Sequence, residues 1–305
     1  MKIALVVKSL GTQCGIANYS SILSKHLNAD IVSSASELKK KYDKILIAFD
    51  TNFYLFEDDF SNELSECYKK SEEVIFDLHT VLRGLLINTF PYRKLVKSPF
   101  SLNRTTNATY IPHFIYPANN TGKLPPSKLK IGTFGFASPA RRMKELLSWG
   151  RDNEIDVKII ATINTSGITT EKSTRNYAEE ISEEFPGQVD IGYFTHDEIV
   201  SKLEDCSHLI FCRNGDPTIG VSGAVHLAYN AKRPIIVEHK ALAPELKDIY
   251  VSRLESLNKD KIDKITKIPT GGISVEDTTK TILNFLNNNK IKSKPNIEQL
   301  DLYES

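Results

Sequence analysis

Arg141 and Arg142 follow the loop Gly135-Phe136-Ala137-Ser138-Pro139-Ala140, directly before an expected helix. Cations at a helix N-terminus oppose its dipole, so two of them there imply an anion as partner. The guanidinium fork fits phosphate oxygens, and Lys144 adds a third positive charge close by. A second stretch, RNGDPTIGVSGAVHLAYNAKRPII from Arg213, runs from a Gly/Asp/Thr/Ser loop into a small-residue helix. Ser222 is placed to cap a helix starting near Gly223, leaving backbone N–H groups directed outward. The glycines there allow a ligand to approach the backbone closely. Two anion-receptive helix starts, with Arg213 beside one of them, suit a diphosphate. Gly11-Thr12-Gln13-Cys14-Gly15 offers a third helix start, but it is not G-x-G-x-x-G and lacks the dinucleotide fingerprint. A plain tight turn explains its spacing equally well.

Isolated polar residues come next: Asp77 and His79 at one strand end, His113 further on, Arg213 and Asp216 after another strand. A lone histidine is more often packed than catalytic, yet the C-terminal end of a parallel strand favours a functional His79. Glu57-Asp58-Asp59 reads as a solvated polar loop rather than a metal site, and no metal is expected. The four cysteines form no C-x-x-C pair and read as free thiols of a reducing compartment.

The elements that would position these residues alternate between strand and helix. Apolar runs at 3–7, 44–49, 74–79, 130–135, 157–162, 189–193, 209–212 and 235–237, with a weaker one at 30–33, read as strands. Helical patterns cover 16–27, 63–70, 142–149, 174–185, 196–206 and 275–286, with Thr195 and Glu198 forming a capping box. Such alternation implies parallel βαβ units. The proline-, asparagine- and glycine-bearing stretch 111–126 reads as a linker, after which the pattern restarts. The expected division is 1–122, 123–287 and a tail at 288–305, with ligands in the cleft between two α/β domains.

The chain has 305 residues, 40% apolar and 25% charged, with a formal net charge of +1. That composition is ordinary for a globular protein with a full core, and no global field draws it to nucleic acid or anionic membrane. The lysine clusters at 39–41 and 259–267 read as solvated faces. The five apolar residues Ile3 to Val7 are too few for a signal-peptide core. No stretch approaches the ~20 apolar residues of a membrane span, so a cytoplasmic location is expected.

Three segments, in order and spanning nearly the whole chain, resemble retaining glycosyltransferases of family 4. These are QCGIANYS, IGTFGFASPARRMKELL and GVSGAVHLAYNAKRPII. The resemblance implies the GT-B fold, two Rossmann-like domains with parallel sheets facing across a cleft. It also implies a nucleotide-sugar-dependent hexosyl- or pentosyltransferase that works with retention and without metal. Gly15 would then lie against the donor, and Arg141 would stand where the family's phosphate-binding lysine does. Ser222 and Gly223 would present N–H groups to the diphosphate, and His79 would face the transferred sugar with Asp77 beside it as the catalytic pair. No cofactor is implied beyond a nucleotide-diphosphate sugar as co-substrate, with a UDP-sugar favoured. The acceptor would be a glycan, a lipid-linked molecule or another group. DNA, the acceptor of phage-type base glycosyltransferases, is disfavoured by the near-neutral charge.

The sequence departs from the family pattern where Ile219 and Leu227 stand in place of two glutamates and Phe136 in place of an arginine. The ribose contact would pass to His226 or Glu238. The missing glutamates equally suit a non-catalytic nucleotide-sugar-binding protein on the same fold.

Overall fold

A computed structural model describes residues 1–12, 14–49, 57–71, 73–78, 93–97, 99, 102, 105, 107–165, 168–214 and 221–287. They divide into two compact units. One holds residues within 1–114 together with 221 and 273–287; the other holds residues within 115–214 and 222–272.

The first unit opens with β1 (Ile3–Val6), α1 (Gly15–Leu27), β2 (Asp30–Val32), β3 (Lys44–Phe49), α2 (Glu57–Lys70) and β4 (Val74–Leu78). Two short strands follow, β5 (Lys94–Val96) and β6 (Ala108–Tyr110). The strands form one parallel sheet in the order β2-β1-β3-β4-β5-β6. β1 and β4 are buried throughout, as strands covered on both faces require. Ile45, Ile47, Phe76 and Val96 belong to a core between this sheet and the elements beside it.

The second unit contains β7 (Lys130–Phe136), α3 (Met143–Asp152), β8 (Asp156–Thr162), α4 (Ile168–Glu184), β9 (Val189–Gly192), α5 (His196–Glu204) and β10 (His208–Phe211). It continues with α6 (Gly223–Ala228), β11 (Ile235–Val237), β12 (Tyr250–Val251) and α7 (Lys259–Asp263). Its parallel sheet runs β12-β11-β10-β7-β8-β9. The Thr195–Glu198 capping box is present at α5, with both reciprocal hydrogen bonds formed. Gly150, in the last turn of α3, lets the helix lie close to β8; a Cβ there would sit 2.3 Å from Val157 Cγ2.

The last helix, α8 (Val275–Leu286), groups with the first unit, whereas the sequence division put residues 123–287 together. Its amphipathic face packs beside α1, and Arg93 donates to the Phe285 carbonyl while stacking on the Phe285 ring at 4.0 Å. The linker-like stretch is also firmly tied, from residue 115 on, to the second unit. Fully buried Glu204 accepts the Thr121 N–H at 3.0 Å and its hydroxyl at 2.6 Å. Arg233 donates to the carbonyls of Lys123 at 2.7 Å, Glu204 at 2.6 Å and Cys206 at 2.8 Å. Each of these backbone oxygens would otherwise lose its water partner on burial.

Glu57-Asp58-Asp59, expected in a loop, opens α2. All four cysteines are buried free thiols, and burial pushes Cys67 and Cys206 up to about 12. Among the described residues no helix is long and apolar enough to cross a membrane.

Candidate active site

The chemistry concentrates in the second unit, beyond the C-terminal ends of β7, β8 and β10. After β7 the chain turns through Ala137 and Ser138 into one 3-10 turn, Pro139–Arg141, and then passes through Arg142 into α3. The turn is fixed from both sides: Ala137 N–H donates to Thr162 O at 3.1 Å, and Asn214 N–H donates to Ala140 O at 2.8 Å. A cavity of about 370 Å³ lies beside it, lined by Phe136, Ser138, Arg141, Asn164, Thr170, Ser173, Thr174 and Arg213, among others.

Arg141 and Arg213 therefore face one space. Arg141 folds back over Gly135, where a Cβ would lie 3.6 Å from its Nε, and its Nη1 is 3.4 Å from Ser222 Oγ. Burial, reinforced by the Arg213 charge, pulls the Arg141 guanidinium down to about 10, and burial lowers Arg213 as well. Among the described residues neither has a carboxylate partner. Half-buried like charges without a counter-charge among the described residues are costly, and an anion bound between them removes that cost.

The neighbouring cations are committed elsewhere. Arg142 pairs with Glu238 and Glu255. Burial opposes its charge, but those two carboxylates outweigh it and hold it above the ordinary arginine value. Lys144 points away from the cavity to α4, at 2.6 Å from Glu184 and 3.3 Å from Glu180, both of which raise it. Its expected phosphate contact is replaced by surface ion pairing across two helices.

The helix start at Gly223 differs from expectation too. Ser222 occupies the N-cap position, but its hydroxyl makes no capping bond and faces Arg141 instead, while its N–H donates to Leu242 O at 2.7 Å. A Cβ on Gly223 would meet Tyr116 Oη at 3.1 Å, so that glycine makes room for a tyrosine. His226 is fully buried, with Nδ1 2.8 Å from Ser222 O and Nε2 3.1 Å from Glu245. Glu238 is buried and accepts three donors. Neither is available to a ribose, because both are already bonded inside the unit. Leu227, where the resemblance had implied a glutamate, is a core residue.

In the first unit, Gly15 opens α1 with open space where a side chain would stand. Asp77 is no exposed catalytic acid: it is 3% exposed and lies 2.7 Å from the buried Lys97 ammonium. Lys97 also donates to Tyr19 Oη at 3.0 Å, and the Tyr19 ring packs 4.9 Å from His113. His113 is buried, with Nδ1 2.8 Å from Phe114 O. His79, Asp216 and Ile219 lie outside the described residues.

No family model matches the sequence, and no curated protein sequence matches it. Solved structures do resemble it. HepE of Anabaena, solved with UDP and glucose, superposes with a TM-score of 0.62 at 11% identity, over 94% of this chain and 99% of that one. AviGT4, a glycosyltransferase of avilamycin A biosynthesis, gives 0.60 at 10% identity, over 94% and 97%. A glycosyltransferase of Rickettsia africae gives 0.54 at 11% identity, over 94% and 93%. The fold is GT-B. The GT-B framework thus places the arginine cavity in the C-terminal Rossmann-like sheet, at the strand ends where such sheets take ligands.

Residues that escaped the sequence reading are Lys97, Glu204, Arg233 and Glu255. Lys97 and Glu255 carry no motif: Lys97 is a buried cation in the first unit, and Glu255 an exposed acid whose side chain reaches back to Arg142.

Proposed function

We propose that the chain is a glycosyltransferase that takes a nucleotide-diphosphate sugar, with a UDP-sugar as the favoured donor, and transfers the sugar to a glycan or lipid-linked acceptor. The observation carrying this reading is the pairing of Arg141 and Arg213 in one cavity with no carboxylate partner among the described residues. The donor's diphosphate would lie between the two guanidinium groups. As the glycosidic C–O bond breaks, negative charge grows on the leaving diphosphate, and preorganised cations stabilise that charge most where water is excluded. Two fixed cations can do this without a metal, which is the metal-independent form of the proposal. Transfer with retention is the stereochemical outcome expected from the family resemblance. The GT-B framework and the UDP and glucose bound by HepE support the donor class.

The test is a donor panel: UDP-, GDP- and ADP-glucose are incubated with the protein and the released nucleoside diphosphate is measured, with and without EDTA. Release from UDP-glucose that persists in EDTA supports the proposal; no release from any donor, with simple alcohols or glycans as acceptors, counts against it.

A second reading is a nucleotide-sugar-binding protein without turnover. Leu227 in the core, and the internal commitment of His226 and Glu238, favour it, because the usual ribose contacts have no replacement at those positions. It is distinguished by saturable UDP-sugar binding with no product from any acceptor.

A further inference from the structure

We infer that Glu238 and Arg142 are positioning residues for the arginine pair, an inference that rests on the donor-binding reading above. Glu238 directly follows β11 and does not line the cavity. Its Oε2 accepts the Arg213 backbone N–H at 2.8 Å, and its Oε1 accepts the Arg142 guanidinium and the Leu254 N–H, the latter at 3.4 Å. One buried carboxylate therefore holds the residue next to Arg141 with one oxygen and the backbone of Arg213 with the other.

Arg142 needs such a tether. Its backbone sits in the left-handed region at φ 52°, a conformation that non-glycine residues rarely adopt outside turns. With φ reversed there, the chain leaves the 3-10 turn so that Arg141 faces the cavity and Arg142 faces away. The Glu238 and Glu255 carboxylates grip the outward side chain and so fix the branch point. Without them, two like charges at one cavity would separate, since nothing among the described residues pairs either one. Binding geometry lost by even a small displacement weakens a bidentate contact.

The experiment measures the dissociation constants of UDP and of inorganic pyrophosphate, by calorimetry, for wild type, Arg141→Ala, Glu238→Gln, Arg142→Asn and the Glu238→Gln/Arg142→Asn pair. Asparagine tolerates the left-handed region, so Arg142→Asn carries the test if Glu238→Gln fails to fold. The expected result is about a ten-fold or greater weakening for each single variant, equal for UDP and pyrophosphate, and no further loss in the double variant, as residues of one network behave. A role confined to stability would move the melting temperature and leave both constants unchanged. A ribose contact by Glu238 would weaken UDP and spare pyrophosphate. Either result overturns the positioning role, as does wild-type binding by both single variants while Arg141→Ala is impaired. Wild-type affinity in Arg141→Ala, or no binding of either probe by wild type, overturns the donor-binding reading itself.

Discussion

Arg141 and Arg213 line one cavity, and among the described residues neither guanidinium meets a carboxylate. The pair is a liability in the absence of an anion and an asset in its presence. Replacing Arg213 with Met removes one of two like charges. The variant is expected to melt at the wild-type temperature or slightly above it, while the upward shift that UDP gives wild type shrinks or vanishes. Thermal melts with and without UDP check both halves.

The Lys97–Asp77 pair makes the opposite prediction. Both groups are almost wholly buried and 2.7 Å apart. Removing one partner of a buried ion pair costs about 3–5 kcal/mol, whereas replacing both with apolar residues is often neutral or better. Lys97→Met is therefore expected to lower the urea midpoint sharply, and Lys97→Met/Asp77→Leu to recover most of the loss. A double variant worse than the single one would contradict this.

Gly150→Ala tests the close approach of α3 to β8. The added Cβ would stand 2.3 Å from Val157 Cγ2 and 3.0 Å from the Ile155 carbonyl. Overpacking of this kind costs about 1–3 kcal/mol. Pairing it with Val157→Ala should restore part of the stability, because the trimmed side chain removes the nearer clash.

Acid should weaken the second unit before its carboxylates titrate. Burial lowers His208 and His196, partly offset by hydrogen bonds to the Ile265 and Pro117 carbonyls. A histidine with a lowered folded pKa binds fewer protons folded than unfolded. Its contribution is thus complete above the unfolded value near 6.5 and is lost as pH falls below it toward the folded value. Urea midpoints should decline from pH 7.5 to 5.5, and His208→Gln should flatten part of that slope. A flat wild-type profile over this range contradicts the account.

Strand and helix order was largely legible because long apolar runs such as Ile45–Phe49 have few alternatives to a buried parallel strand. Strands β5, β6 and β12 escaped because two or three residues carry no period, and Lys94 at the head of β5 disguised it. At the site, Arg141 stood out as a cation at a helix start and Arg213 as one following a strand. What sequence could not reveal was which cation an acid had already claimed. Arg142 meets Glu238 across 96 residues of chain, and Lys144 meets Glu180 across 36. The same long-range bonding withdrew His226 and Glu238 from the expected ribose contact, since a buried donor or acceptor must find its partner inside the fold.

Calorimetric titration of UDP into wild type and Arg141→Ala at low salt asks directly whether the arginine cavity binds the diphosphate. Saturable binding by wild type, weakened at least about ten-fold (~1.4 kcal/mol) in a variant that melts normally, is the predicted result. Equal affinity in the two proteins would show that the arginine cavity is not where the diphosphate binds.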